Sequence, residues 1–106
     1  MRRSEFVTFM NSEFGRILKS FEQTNREYAQ DDEAFENFNK LSRELGIDRK
    51  QVLWVYAMKH KDAVANYLKG FTSQREDVTG RITDEIVYRL LLLGMIAEER
   101  SQEPAR

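Results

Sequence analysis

Carboxylates and a single histidine are the groups in this chain best suited to chemistry. Glu33 and Glu36, in "DDEAFENF", form an E-x-x-E pair. If that segment is helical, the spacing puts both acids on one face. Magnesium in a phosphate-processing site needs such carboxylates beside waters and substrate oxygens. A helix start that favours negative charge is the plainer account of the same residues. His60, in "MKHKDAVANY", shares a helical face with Leu53, Ala57, Val64 and Tyr67, so its ring is expected among apolar neighbours with a hydrogen-bond partner. Asp62 falls on a different face, with Lys59 and Asn66, where a solvated ion pair would satisfy it.

Asp84 is the more pointed case. On a helix it stacks with Tyr88, Leu91 and Met95, at the end of an apolar stripe. An acid there needs a cation, a metal or a hydrogen-bond donor to offset its desolvation. Arg81, Lys59, Lys61 and Asp62 are the candidate partners across a hairpin, and a capping role at the helix start is the alternative. No Gly-rich phosphate loop, H-E-x-x-H or serine nucleophile elbow occurs in the sequence. With no cysteine, disulfides, thiolate zinc sites and a cysteine nucleophile are excluded. No residue is assigned a catalytic role.

The elements that must position these groups read as helices. One proline and five glycines in 106 residues suit long helices, and no segment alternates with a period of two. The expected fold is all-α: a compact four-helix domain over residues 1–100 with a flexible tail at 101–106. Ser4 is expected to cap a first helix reaching about Gln30, with Phe6, Met10, Phe14, Ile17, Phe21 and Tyr28 in one stripe. Asp31 or Asp32 would cap a short second helix that turns Phe35, Phe38, Leu41 and Leu45 inward and stops at Gly46. Asp48 opens a third helix ending at Gly70. After a polar loop over 71–80, a fourth begins between Thr79 and Thr83. The fourth is apolar around most of its circumference, which suits a central helix or one shared with a second subunit. A homodimer is expected.

The run "NKLSRELGIDRKQVLWVYAMKH" looks like a helix-turn-helix, with Ser42, Gly46 and Val52 at fitting positions. Arg49, Lys50 and Gln51 would face bases, but "VLWVYAM" then presents apolar residues where a reading helix needs a polar face. With a formal net charge of -1 there is no global positive field either. A nucleic-acid partner is not expected, and a helix-turn-helix DNA binder stands as a second alternative. The start "MRRSEFVTFMNSEF" lacks the apolar core of a secretory signal, and "LLLLGMIA" is far short of a membrane span. A cytoplasmic location, with no membrane partner, is the expectation.

Three stretches carry a resemblance to a known family: "REYAQDDEAFENFNKLSRELGI", "VLWVYAMKHKDAVANYL" and "GRITDEIVYRLLLLGMI". Together they resemble a group of small phage and prophage proteins described as the nucleotide-modification-associated domain type, an uncharacterised all-α family. The likeness covers roughly residues 26 to 97. It implies a link to phage nucleotide metabolism in the host cytoplasm. The matching positions for a ligand site are Tyr28, Asn37, Phe38, His60, Asp62, Arg81, Asp84 and Tyr88. More distantly, the chain is similar to MazG-like all-α nucleotide pyrophosphohydrolases, which hold magnesium through E-x-x-E on one helix and E-x-x-D on a later one. Glu33 and Glu36 match the first pair. Arg81 stands where the glutamate partner of Asp84 would be, and its positive charge would repel the ion. The resulting expectation is a small helical binding protein, without a cofactor, directed at a nucleotide or a host protein. The alternative is a Mg2+-dependent pyrophosphohydrolase using Glu33, Glu36, Asp62 and Asp84.

Overall fold

The computed structural model describes residues 1–28, 32–71 and 77–103, with the helical backbone alone for 25–28. Four α-helices follow in order: α1, Arg3–Tyr28; α2, Glu36–Leu45; α3, Arg49–Leu68; and α4, Val78–Ser101. No strand occurs among the described residues. The all-α class holds, with one short helix second among three long ones. The chain divides into two units, Met1–Ala34 and Phe35–Arg106.

The first unit is α1. It begins at Arg3, so Ser4 lies inside its first turn and gives its carbonyl to the Thr8 hydroxyl at 3.1 Å instead of capping the helix. Phe6 and Phe9 stack with ring centroids 6.2 Å apart, and Phe6, Phe9, Phe14 and Leu18 are exposed.

The second unit is built on the α3–α4 hairpin, with α2 packed against α3. Each turn has a chemical cause. Gly46 closes α2 at φ 69°, a left-handed conformation that a Cβ would strain, and its N–H bonds the Ser42 carbonyl at 2.9 Å. Two residues on, the Asp48 carboxylate caps α3 by accepting from the Lys50 N–H at 2.8 Å. Asp77 caps α4 in the same way. It takes the Thr79 N–H at 3.4 Å and the Thr79 hydroxyl at 2.8 Å, so the helix starts slightly ahead of the expected position.

The expected cap of α2 differs. The helix starts at Glu36, with Phe35 as its N-cap and no side-chain bond there. The Phe38 and Asn39 N–H groups bond the Phe35 carbonyl at 3.0 and 2.9 Å. Asp32 is exposed ahead of the helix, and Asp31 lies outside the described residues. Glu33 therefore precedes α2, and the E-x-x-E pair does not share a helical face.

Phe38, Val52, Leu53 and Met95 form the core, with Leu53 at 1% and Met95 at 0% exposure. Phe35, Leu41, Tyr88, Leu91 and Leu92 pack against it. Leu45, expected inside, is exposed at the end of α2. A Cβ added to Gly94 would stand 3.0 Å from the Phe35 ring, so the missing side chain is what lets that ring lie against α4.

The Asp48 cap carries a pH-dependent contribution to stability. The Lys50 N–H, and after it the Lys50 ammonium, holds this carboxyl below its ordinary value of 3.8. A depressed folded-state value means the stabilisation is complete above the unfolded value and is lost as pH falls through the folded one. Asp48→Ala is expected to cost about 0.5–2 kcal/mol at neutral pH in urea unfolding. Asp48→Asn should retain most of the stability and lose the part of the acid sensitivity that appears below about pH 4.

Candidate functional site

The α3–α4 hairpin brings His60 against α4. Its side chain is buried at 6% exposure, and its ring lies 5.5 Å from the Tyr88 ring at a tilt of 33°. Two charged groups approach the same nitrogen. Arg81 Nη1 stands 3.3 Å from His60 Nδ1, and Asp84 Oδ2 stands 3.5 Å from it. An unprotonated Nδ1 accepts from the guanidinium, whereas a protonated Nδ1 donates to the carboxylate. Only one of these hydrogen bonds can exist in a given protonation state.

Asp84 thus lies well inside α4, seven residues after the Asp77 cap, and does not cap the helix. The group that meets it is His60, which spacing alone did not pair with it, and Arg81, a candidate partner, approaches the same histidine nitrogen. The charge of Asp84 reaches Tyr88, one turn along. Burial first, then Asp84 and Tyr56, pushes the Tyr88 phenol above its ordinary value, so this tyrosine stays neutral well into the alkaline range.

Tyr88 also faces a groove of about 410 Å3. Asn37, Phe38, Lys40, Leu41 and Glu44 of α2 line it, with Tyr56 of α3 and Tyr88 of α4. The positions 37, 40, 41 and 44 recur at helical spacing, which is why one face of α2 forms a wall. Phe38 meets Tyr56 edge to face at 5.9 Å and Tyr88 at 6.4 Å. The groove therefore has an aromatic floor with an amide, an ammonium and a carboxylate among its walls.

Of the expected ligand residues, Asn37, Phe38 and Tyr88 line this groove, and His60, Arg81 and Asp84 cluster beside Tyr88. Asp62 does not join them; two residues beyond the buried His60, it is exposed. The Tyr28 side chain lies outside the described residues. Tyr56, which the sequence shows only as part of the apolar run of α3, also lines the groove, as do Lys40 and Glu44, which are not among the expected ligand residues. Their signal was present as an i,i+4 pair in line with Asn37.

The acids of the magnesium reading are apart in role. Glu36 bonds Arg43 at 3.0 Å, Glu33 precedes α2, Asp62 is exposed and Asp84 faces His60. Among the described residues no group of three or more His, Asp or Glu is placed to hold a metal ion.

The cations of the helix-turn-helix reading are also engaged. Arg49 meets Glu98 at 3.2 Å and Glu99 at 3.6 Å, and Lys50 meets Glu99 at 2.8 Å. Trp54, Val55 and Tyr56, which look like packing residues in the sequence, keep substantial exposure. Lys61 and Arg89 lie over the Trp54 ring at 5.4 and 4.7 Å. No helix among the described residues is long and apolar enough to cross a membrane. No protein-family model matches this chain, and neither a curated protein nor a solved structure does.

Proposed function

We propose that this chain is a small helical binding module whose groove between α2 and the α3–α4 hairpin takes a nucleobase-bearing ligand. The observation that carries this reading is the position of Tyr88. One side of its surroundings is the groove with Phe38, Tyr56 and Asn37, and the other is the His60, Arg81 and Asp84 cluster. An aromatic floor offers stacking to any base, and an amide offers one donor and one acceptor edge. The volume lies in the range of small-molecule sites. The resemblance of "KHKDAVANY" and "GRITDEIVYRLLLL" to the nucleotide-modification-associated phage family supports the same class of ligand.

Binding is favoured over hydrolysis because the acids of the pyrophosphohydrolase reading lie on different structural features, each with its own surroundings. A DNA-reading role is disfavoured because Arg49 and Lys50 are turned to the end of α4.

The test is a titration of the labelled protein with the four deoxynucleosides and their phosphates, followed by amide chemical shifts. Shift changes are expected along 37–44 and at Tyr56 and Tyr88. Tyr56→Ala should weaken binding about tenfold, the effect of losing one stacking partner. If none of these compounds perturbs the groove, the reading fails and a protein partner takes its place.

One specific observation favours a second property, self-association. Trp54, Met58, Ile82, Leu90 and Leu93 of the α3–α4 hairpin are all exposed. A face of this composition, with an arginine and a lysine over a tryptophan, has the make-up of an interface centre. A homodimer formed through it is the proposed assembly.

A further inference from the structure

We infer that the groove selects ligands of low charge: a nucleoside carrying at most one phosphate, and not a nucleoside triphosphate. This rests on the nucleobase reading above and adds to it the ligand's phosphorylation state. The argument is electrostatic. Lys40 is the cation among the lining residues and Glu44, one turn along the same face of α2, is the acid, so the walls carry no net charge. At the Tyr88 end Asp84 and Arg81 both stand beside His60, so that cluster adds one charge of each sign, with Arg81 engaged at His60 Nδ1 at 3.3 Å.

Three other cations on α2 and α3 are engaged elsewhere. Arg43 bonds Glu36 at 3.0 Å, Arg49 bonds Glu98 at 3.2 Å and Lys50 bonds Glu99 at 2.8 Å. A triphosphate brings several negative charges whose desolvation must be offset by cations or a metal. Lys40 can answer one phosphate. Glu44 would stand against a second, and its carboxylate is instead suited to accept hydrogen bonds from sugar hydroxyls. The aromatic floor of Phe38, Tyr56 and Tyr88 acts on the uncharged base, which is common to all members of the series. Added phosphates therefore contribute repulsion beyond the first.

The decisive measurement is calorimetric titration of the full chain with each deoxynucleoside, its monophosphate and its triphosphate, with and without magnesium. The nucleoside and monophosphate are expected to bind within about tenfold of each other, and the triphosphate about tenfold more weakly than the monophosphate. Lys40→Gln should bring the ratio of monophosphate to nucleoside affinity down to about one. Glu44→Lys should raise triphosphate affinity by about tenfold, by replacing a repulsive charge with an attractive one. If the wild-type protein binds the triphosphate most tightly, the charge argument is overturned while the nucleobase reading stands. Binding of none of the three forms overturns both.

Discussion

Arg49→Ala is expected to lower the unfolding free energy by about 2–3 kcal/mol, more than an exposed ion pair is worth. The Arg49 side chain is 15% exposed, and its guanidinium ties three helices together. It meets Glu98 at 3.2 Å and Glu99 at 3.6 Å on α4, and also gives a hydrogen bond to Asn39 of α2 at 3.2 Å. A longer contact of 3.4 Å reaches the Met95 carbonyl, and the Arg49 Cζ lies 5.2 Å from the centroid of the Phe35 ring. Removing one member of a fully buried pair costs about 3–5 kcal/mol because the other charge is stranded. Here Glu98 and Glu99 are about two-fifths exposed, so water can take over part of their solvation, and the expected loss is smaller.

Arg49→Lys should recover less than half of it, since one ammonium cannot replace a planar fork that bonds on several sides and lies against an aromatic ring. Urea unfolding of the three proteins decides the matter. A loss below about 0.5 kcal/mol for Arg49→Ala would mean these contacts act as ordinary surface pairs. The same geometry bears on function. The cations that a helix-turn-helix would aim at phosphates are used to fasten the start of α3 to the end of α4, and a duplex would have to compete with Glu98 and Glu99 for them.

The punctuation of the helices was legible in the sequence because it depends on near neighbours. Gly46, Asp48 and Gly70 act within a few residues of where they stand, and α3 runs between them as expected. The start of α2 differs because two aspartates look like caps, while the observed cap position is Phe35, which has no side-chain acceptor to mark it in the sequence. That difference moved Glu33 out of the helix and with it the first magnesium pair.

His60 was correctly expected on a buried face, since helical spacing alone places it there. Its partners were not legible, because Arg81 and Asp84 reach it only through the register of the α3–α4 hairpin. The groove is a tertiary feature for the same reason. Asn37, Lys40 and Glu44 could be aligned from α2 alone, but Tyr56 and Tyr88 come from two other helices. The apolar face of α4 was visible as an excess of leucines, and what the excess meant depended on how many of them the other helices left uncovered.

That uncovered face gives the second large effect, on assembly. Trp54 lies two residues from both Val52 and Tyr56, about 200° around the helix from each. Val52 joins the core and Tyr56 meets Phe38 of α2, so Trp54 is on the side of α3 away from α2. Met58 follows it by one turn. On α4, Arg89 lies over Trp54, and Leu93 and Ile82 share its side at spacings of four and seven. Trp54 is 39% exposed and Leu93 62%, values that leave much of this apolar area open to a second copy.

Sedimentation of the wild-type chain is expected to show a dimer, and Trp54→Glu combined with Leu93→Glu should weaken association by about a hundredfold or more. In a two-fold assembly each substitution enters the interface twice, so the introduced acids come from both subunits and desolvate together. Circular dichroism of the variant serves as the control. Both positions are exposed, so the helices should persist, and a monomer that keeps its helicity locates the contact on this face. A wild-type chain that sediments as a monomer across the accessible concentration range would remove the dimer from the account. It would leave the groove untouched, because Trp54 and Leu93 are not among the residues that line it.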